Sequence, residues 1–169
     1  GVMVLKRHSD LEKVPESPGY TEALVELDYE LAILIARDPK GDIVIYPTAE
    51  IIMDSDNNIL DTVVVPASAP PVVQDQCERI ATRLVESFKY VGLMAVEFFV
   101  DKLGNLTVNE VSPRPHNSGH YTIEACKTSQ FEQHIRAITG KKLGSTDLIC
   151  SAATFNLLGT PTSSGEPIF

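Results

Sequence analysis

The sequence has few cysteines, few basic residues and no long apolar run, and each shortage argues against a class of protein. Its three cysteines, Cys77, Cys126 and Cys150, are far apart without a CxxC spacing, which is typical of a reducing compartment without a disulfide framework. Lysine and arginine number 14 against 23 aspartates and glutamates, for a formal net charge of -9. This charge argues against a nucleic-acid or anionic-membrane partner, although a local cationic loop or metal still permits an anionic substrate.

Targeting signals are also missing from the sequence. No apolar run approaches the ~20 residues of a membrane span. No basic segment followed by an apolar core marks a signal peptide. We therefore expect a cytoplasmic protein.

What the chain does contain is enough apolar surface for a packed core, since hydrophobic residues make up 43% of its 169 residues. The apolar period predicts a helix over residues 73–89, with Ile80, Leu84 and Phe88, and Ala81 and Val85 beside them, along one apolar stripe. One helical turn is predicted at 9–13. Alternating apolar residues between turn signals predict the strands, which are 1–5, 30–37, 43–46, 51–53, 60–65, 92–100, 106–111 and 152–158. The acidic segment 54–58 lacks the central glycine and distal glutamate of a calcium loop and is interpreted as a solvated turn.

Strands 92–100 and 106–111 flank a five-residue turn and are predicted to form a hairpin. This pairing places Glu97 and Glu110 near each other across the ladder. Facing carboxylates repel unless a cation lies between them or one is protonated, and Mg²⁺ bound to phosphates suits such a site. The alternative, that one glutamate faces solvent and no metal binds, is equally compatible with these two residues alone.

The segment 109–120 is the most informative part of the chain, because it combines a carboxylate, a guanidinium, two imidazoles, amides and hydroxyls within twelve residues. Arg114 offers a planar fork of donors suited to carboxylate, phosphate or bicarbonate oxygens. His116 can donate or accept a proton near neutral pH. The alternative is a polar loop with a satisfied histidine. Cys126, which follows, is interpreted as a buried small residue rather than a nucleophile.

A helix is predicted from Ser129, its N-cap, to about residue 139, because Glu132 at the third helical position completes a capping box. This helix carries several polar side chains, most of which are interpreted as surface and capping residues, and none is assigned a functional role. They are Gln130, Glu132, His134 and Arg136.

Segment 109–120, together with Tyr121, Thr122 and segment 129–137, resembles the ATP-grasp family of N5-carboxyaminoimidazole ribonucleotide synthetases, and also the matching domain of fused phosphoribosylaminoimidazole carboxylases. The resemblance covers nearly the whole chain. It implies an α+β ATP-grasp fold with a mainly antiparallel sheet flanked by helices. It further implies that residues 1–142 are the central and second half of an ATP-grasp domain and that 143–169 begin a carboxy-terminal domain.

The resemblance also implies a reaction of purine biosynthesis. Family members use ATP and Mg²⁺ to activate bicarbonate, through carboxyphosphate, and then carboxylate the amine of aminoimidazole ribonucleotide. It implies a ligase that works as a homodimer on small molecules. It implies Glu97 and Glu110 as magnesium ligands, Phe99 against adenine, Glu22 near the adenine and Glu30 on the ribose hydroxyls. It implies that bicarbonate or carboxyphosphate is held by Arg114, His116, Asn117 and Ser118.

The chain departs from the family pattern at its ends. Gly1 aligns with the last glycine of the family's flexible loop, so we expect a fragment without the amino-terminal domain and without the carboxy-terminal basic residues that hold the substrate phosphate. Such a fragment is expected to be inactive alone. Two alternatives remain. One is a non-catalytic nucleotide-binding or oligomerisation module. The other is a different ATP-grasp ligase or a biotin carboxylase relative, against which the run from His116 to His120 argues.

Overall fold

The computed structural model describes residues 3–54 and 59–157. The strands are β1 (Leu27–Arg37), β2 (Ile43–Ile45), β3 (Ala49–Asp54), β4 (Ile59–Val65), β5 (Gly92–Asp101), β6 (Leu106–Ser112) and β7 (Ala152–Phe155). The α-helices are α1 (Pro71–Ser87), α2 (Thr122–Ala125) and α3 (Gln130–Ile138). Two short 3-10 helices cover His8–Lys13 and Asn117–Gly119.

The strands form a 7-stranded sheet in the order β6-β5-β1-β3-β4-β7, with β2 also paired to β1. Every strand pair of this sheet is antiparallel. The central strand β1 is buried from Leu31 to Ala36, because sheet neighbours and helices cover both of its faces. The predicted α+β fold with a mainly antiparallel sheet and flanking helices is therefore confirmed.

The two faces of the sheet have separate cores. On one face, alternate residues of β1 and β5, such as Leu31 and Val96, pack against α1. On the other face, Leu34 and Ala95 pack with Tyr121, next to α2. Because side chains alternate along a strand, the second face continues through Glu97, one alternate position beyond Ala95. Helix α3 packs on β5 and β1 as well. Helices α2 and α3 cover only part of the second face, and the end that contains Glu97 lies beyond them.

Helix α1 buries only part of the predicted stripe, namely Ala81 and Val85. Val73, Cys77, Ala81 and Val85 are its buried residues. Ile80 and Leu84 pack against the core only in part and Phe88 is exposed. The small Cys77 and Ala81 at the centre of the contact let the helix approach the sheet closely, and the longer apolar side chains lie at its margin.

The first predicted strand is wrong. Residues 3–5 have no regular structure and are largely exposed, and none of the strands in the described part of the chain pairs with them. The helical turn near residue 9 and the strands that begin near residues 30, 43, 51, 60, 92, 106 and 152 are confirmed, with small shifts at their ends. Residues 55–58 of the predicted acidic turn, residues 1 and 2, and residue 158 lie outside the described residues. No helix within the described ranges is long and apolar enough to cross a bilayer.

Candidate functional site

Two glutamates face each other at the hairpin of β5 and β6. Glu97 pairs directly with Glu110, and the register shifts after this pair so that Phe98 lies opposite Val108. The Glu97 side chain is 13% exposed and that of Glu110 is 52% exposed. The expected juxtaposition is therefore present, and the bulge at Asn109 lets Glu110 lie on the same face as Glu97.

The imidazole of His116 lies between these carboxylates. Its Nδ1 is 3.1 Å from Glu97 Oε1, and its Nε2 is 3.7 Å from Glu110 Oε1. The same Nδ1 is 2.9 Å from the hydroxyl oxygen of Ser118, which is buried. The loop that follows β6 thus folds back against the hairpin, so that His116 lies close to both carboxylates.

The oxygen atoms of the two glutamates differ in how well they are satisfied. Glu110 Oε1 accepts a hydrogen bond of 2.6 Å from the hydroxyl of Ser112. Glu97 Oε1 is buried and has no well-directed hydrogen bond within the described part of the chain, although His116 Nδ1 lies close to it. A buried carboxylate oxygen without a directed donor is costly unless a cation or a ligand completes it.

This donor set fits a hard divalent cation. Two facing carboxylates, one with an unsatisfied buried oxygen, are the ligands that Mg²⁺ takes from a protein. No cluster of three or more His, Cys, Asp or Glu side chains able to hold a metal occurs among residues 3–54 and 59–157. A cation at Glu97 and Glu110 would therefore need further oxygens from a phosphate group or water.

Glu30 lies beside this pair on β1. It is directly opposite Phe99 of β5, and its neighbour on the same face, Ala32, is opposite Glu97. Burial, and then the charge of Glu97, raise the pKa of Glu30 to about 7. Two carboxylates that share a half-buried surface favour a ligand that brings positive charge or hydrogen-bond donors.

Two polar residues of the loop point in different directions. Arg114 is exposed, and its Nη1 donates a 3.0 Å hydrogen bond to the carbonyl of Pro115. Asn117 donates from Nδ2 to Oδ1 of Asn156 at 3.1 Å, while its own Oδ1 is buried and unpartnered among the described atoms. Asn156 is anchored in turn by donating to the carbonyl of Leu60 at 2.6 Å. Sequence reasoning did not single out Asn156, because no local pattern marks a contact across 39 residues.

Two of the polar side chains of α3 are exceptions to the interpretation that most of them are surface and capping residues. Gln130 is fully buried, and its amide bonds to the backbone of His116. His134 accepts a 3.0 Å hydrogen bond at Nδ1 from the N–H of Leu93. The reason is geometric for Gln130: it is the first helical residue after the N-cap Ser129, so its side chain is directed back past the start of the helix.

The other two assignments on α3 are confirmed. Arg136 and Glu132 form an exposed ion pair one turn apart, at 2.7 Å between Nη2 and Oε1. Ser129 accepts at its hydroxyl from the N–H of Glu132, as an N-cap residue does.

Two further predictions concern residues away from this cluster. Glu22 is exposed in a segment without helix or strand that precedes β1, and its place near a nucleotide stays a prediction. Cys126 is buried, and burial raises the pKa of its thiol to about 11. A thiol with such a raised pKa stays protonated near neutral pH and is not a nucleophile there. This agrees with the interpretation of Cys126 as a buried core residue.

Known proteins are similar to this chain in sequence and in fold. Residues 1–131 match the ATP-grasp domain family. The chain is 42% identical over 163 residues to the N5-carboxyaminoimidazole ribonucleotide synthase of Bacillus subtilis. This alignment covers 94% of the chain and 42% of that protein. The chain therefore spans about two fifths of the length of this relative.

Solved structures agree with the sequence comparison. The crystal structure of the N5-carboxyaminoimidazole ribonucleotide synthetase from Thermotoga maritima superposes with a TM-score of 0.85 at 46% identity, over 96% of this chain and 43% of that one. The N5-carboxyaminoimidazole synthase of Aspergillus clavatus, in complex with ADP and 5-aminoimidazole ribonucleotide, superposes with a TM-score of 0.82 at 29% identity. That match covers 91% of this chain and 41% of that one.

Proposed function

Because this chain belongs to the ATP-grasp family, we propose that it provides the nucleotide, metal and bicarbonate site of a ligase. This ligase uses ATP and bicarbonate to carboxylate 5-aminoimidazole ribonucleotide to N5-carboxyaminoimidazole ribonucleotide. One observation carries the proposal: the ring of His116 lies within 3.7 Å of both facing carboxylates, Glu97 and Glu110. This arrangement supports a role for His116 as a proton-transfer group next to phosphates bound through a metal at Glu97 and Glu110. The names of the relatives and the ligands of the Aspergillus clavatus structure support the choice of substrate.

The nucleotide is proposed to bind over the second face of the sheet. Phe99 offers an apolar ring for adenine, and Glu30, its direct neighbour on β1, offers a carboxylate for the ribose hydroxyls. Glu22 is proposed to approach the adenine from the segment before β1. The raised pKa of Glu30 supports a role as partner of hydroxyl groups, since hydrogen-bond donors from the ribose would stabilise its charged form.

Glu97 and Glu110 are proposed to hold Mg²⁺. When bound, the ion would neutralise phosphate charge during phosphoryl transfer. The unsatisfied buried oxygen of Glu97 and the direct pairing of the two glutamates support this assignment.

The loop residues are proposed to act on bicarbonate and on carboxyphosphate. Arg114 can bind planar carbonate or phosphate oxygens with its exposed fork. His116 is proposed to move a proton at its ring nitrogens as the amine attacks, because Ser118 and Glu97 contact its Nδ1 and Glu110 lies 3.7 Å from its Nε2. Asn117 Oδ1, which is buried without a partner in the described structure, is proposed to accept a hydrogen bond from the amine or from bicarbonate.

Several wider features belong to the same proposal. Residues 1–142 are proposed as part of an ATP-grasp domain and 143–169 as the start of a further domain, and the whole protein is proposed to be a homodimer. The cytoplasm is the proposed location, supported by free thiols at all three cysteines.

The test measures ADP release by the product of the native open reading frame that encodes this chain. With MgATP, bicarbonate and 5-aminoimidazole ribonucleotide all present, we expect release that stops when either bicarbonate or the ribonucleotide is omitted. Release that is indifferent to both, or binding of MgATP without any release, would favour a non-catalytic or a different ATP-grasp function.

A further inference from the structure

Two glutamines of α3 make the same unusual contact in two different places. Gln130 and Gln133 are both fully buried, and each uses both polar atoms of its amide on the backbone of a single residue. Gln130 accepts from the N–H of His116 at 2.9 Å and donates to its carbonyl at 2.8 Å. Gln133 accepts from the N–H of Gly144 and donates to its carbonyl, both at 2.8 Å.

The contact of Gln130 fixes the residue on which the proposed chemistry depends. His116 has an extended backbone, with φ -132° and ψ 157°, so its N–H and carbonyl point to the same side, as in a strand. The amide of Gln130 pairs with both groups as a neighbouring strand would. Since two hydrogen bonds define an orientation and one does not, the direction in which His116 projects its ring is set from α3.

Gln130 itself cannot move easily. Its N–H donates to the hydroxyl of Thr122 at 2.8 Å, and that hydroxyl donates to the carbonyl of Gly119 at 2.7 Å. An added Cβ at Gly119 would lie 2.5 Å from Gln130 Oε1. The amide is thus packed against the backbone of the same loop that it holds.

We infer that Gln130 is a positioning residue, which keeps the imidazole of His116 between Glu97 and Glu110 by pairing with its backbone. The inference rests on the proposed function for its catalytic consequence. Gln133 supplies a natural comparison, because it has the same burial and the same bonding on the same helix, and its partner Gly144 is not among the proposed site residues.

The test compares Gln130→Met with Gln133→Met, which keep the side-chain volume and remove the paired hydrogen bonds. In the product of the native open reading frame, Gln130→Met should lower kcat about tenfold or more, as misplacement of a reacting group does. Its KM for ATP should change less than about twofold. Gln133→Met should leave kcat within about twofold. It should lower the melting temperature about as much as Gln130→Met does. Equal kcat for the two variants would overturn the inference.

A second variant covers the case in which Gln130→Met does not fold. Gln130→Glu in its protonated form keeps one donor and one acceptor, whereas the ionised form has only acceptors facing the His116 carbonyl. Its kcat relative to the unmutated protein at the same pH should rise as the pH is lowered. The corresponding ratio for Gln133→Glu should stay flat. A flat ratio for both would contradict the inference.

Amide hydrogen exchange separates failure of this inference from failure of the proposed function, since it needs no substrate. Exchange of the His116 N–H should be faster in Gln130→Met and unchanged in Gln133→Met, and the reverse should hold for Gly144. If the unmutated protein does not carboxylate the ribonucleotide, the proposed function fails while this measurement still decides the contact. Unchanged His116 exchange in Gln130→Met would refute the positioning role.

Discussion

Replacement of Gly119 by alanine should destabilise the protein and loosen the loop together. Gly119 lies in the 3-10 helix Asn117–Gly119, where its φ is outside the left-handed range, so alanine can adopt the backbone conformation without strain. Space is the obstacle: the new Cβ would lie 2.5 Å from both Gln130 Oε1 and Leu34 Cδ1. Contacts that close force a neighbour to move.

The magnitude follows from what has to give way. Overpacking a tight core site costs about 1–3 kcal/mol. If the amide of Gln130 is displaced, the N–H of His116 loses its acceptor, which adds about 1–3 kcal/mol. The smaller conformational freedom of alanine in the unfolded chain returns about 0.4–1 kcal/mol. The net loss should be about 1–5 kcal/mol, or about 2–20 °C in melting temperature for a chain of this size.

Urea denaturation of the chain and of Gly119→Ala, followed by circular dichroism, measures this loss. Gly19→Ala is the matched control, because nothing lies within 4 Å of its added Cβ and its stability should change by less than about 1 kcal/mol. If Gly119→Ala were as stable as Gly19→Ala, the close packing of the loop on Gln130 and Leu34 would be refuted.

Three further predictions concern the acidic surface and the loop. Glu110→Gln should weaken Mg²⁺-dependent ATP binding at least about tenfold by calorimetry, and unchanged affinity would contradict the metal assignment. The pKa of Glu30 is raised from 4.5 to about 7, so folding takes up a proton in that window and stability falls as the pH rises through it. The unfolding free energy of Glu30→Gln minus that of the unmutated chain should therefore be larger at about pH 8 than at about pH 4, by on the order of 2 kcal/mol after solvent screening. Urea titrations that show the same difference at both pH values would contradict this prediction. Arg114→Ala should lose about 2–4 kcal/mol of transition-state stabilisation in bicarbonate-dependent turnover, with little change in ATP affinity. A tenfold weaker ATP affinity with unchanged bicarbonate saturation would instead mean that the loop binds the nucleotide.

The hairpin that pairs Glu97 with Glu110 was predictable because its information is local. A short turn between two apolar strands fixes their register to within a residue, and the pairing follows. The long strand over Glu30 and the N-cap at Ser129 were predictable for the same reason. The fold class and the identity of the loop came from resemblance to a family rather than from periodicity.

Contacts between distant segments were not predictable in this way. Gln130 reaches the backbone of His116, 14 residues away, and a backbone partner leaves no trace in the sequence of the loop. Asn156 reaches Asn117 across 39 residues. Position at a helix start is the one signal that could have flagged Gln130, since a side chain there is directed back beyond the helix.

Helix α1 shows a different limit. The predicted apolar stripe contains two narrower stripes, one through Ile80 and one through Ala81, and the period alone does not show which of the two is buried more deeply. The sheet chooses the stripe of smaller residues because it allows closer packing, and this depends on the shape of the partner surface.

The transfer of an oxygen atom from bicarbonate to phosphate is the signature of the proposed activation of bicarbonate by ATP. With ¹⁸O-labelled bicarbonate, MgATP and 5-aminoimidazole ribonucleotide, the product of the native open reading frame should release phosphate that carries ¹⁸O from bicarbonate, and Glu97→Gln should abolish this release. Unlabelled phosphate released at the same rate with or without bicarbonate would contradict the account, because ATP would then be cleaved without activating bicarbonate at this site.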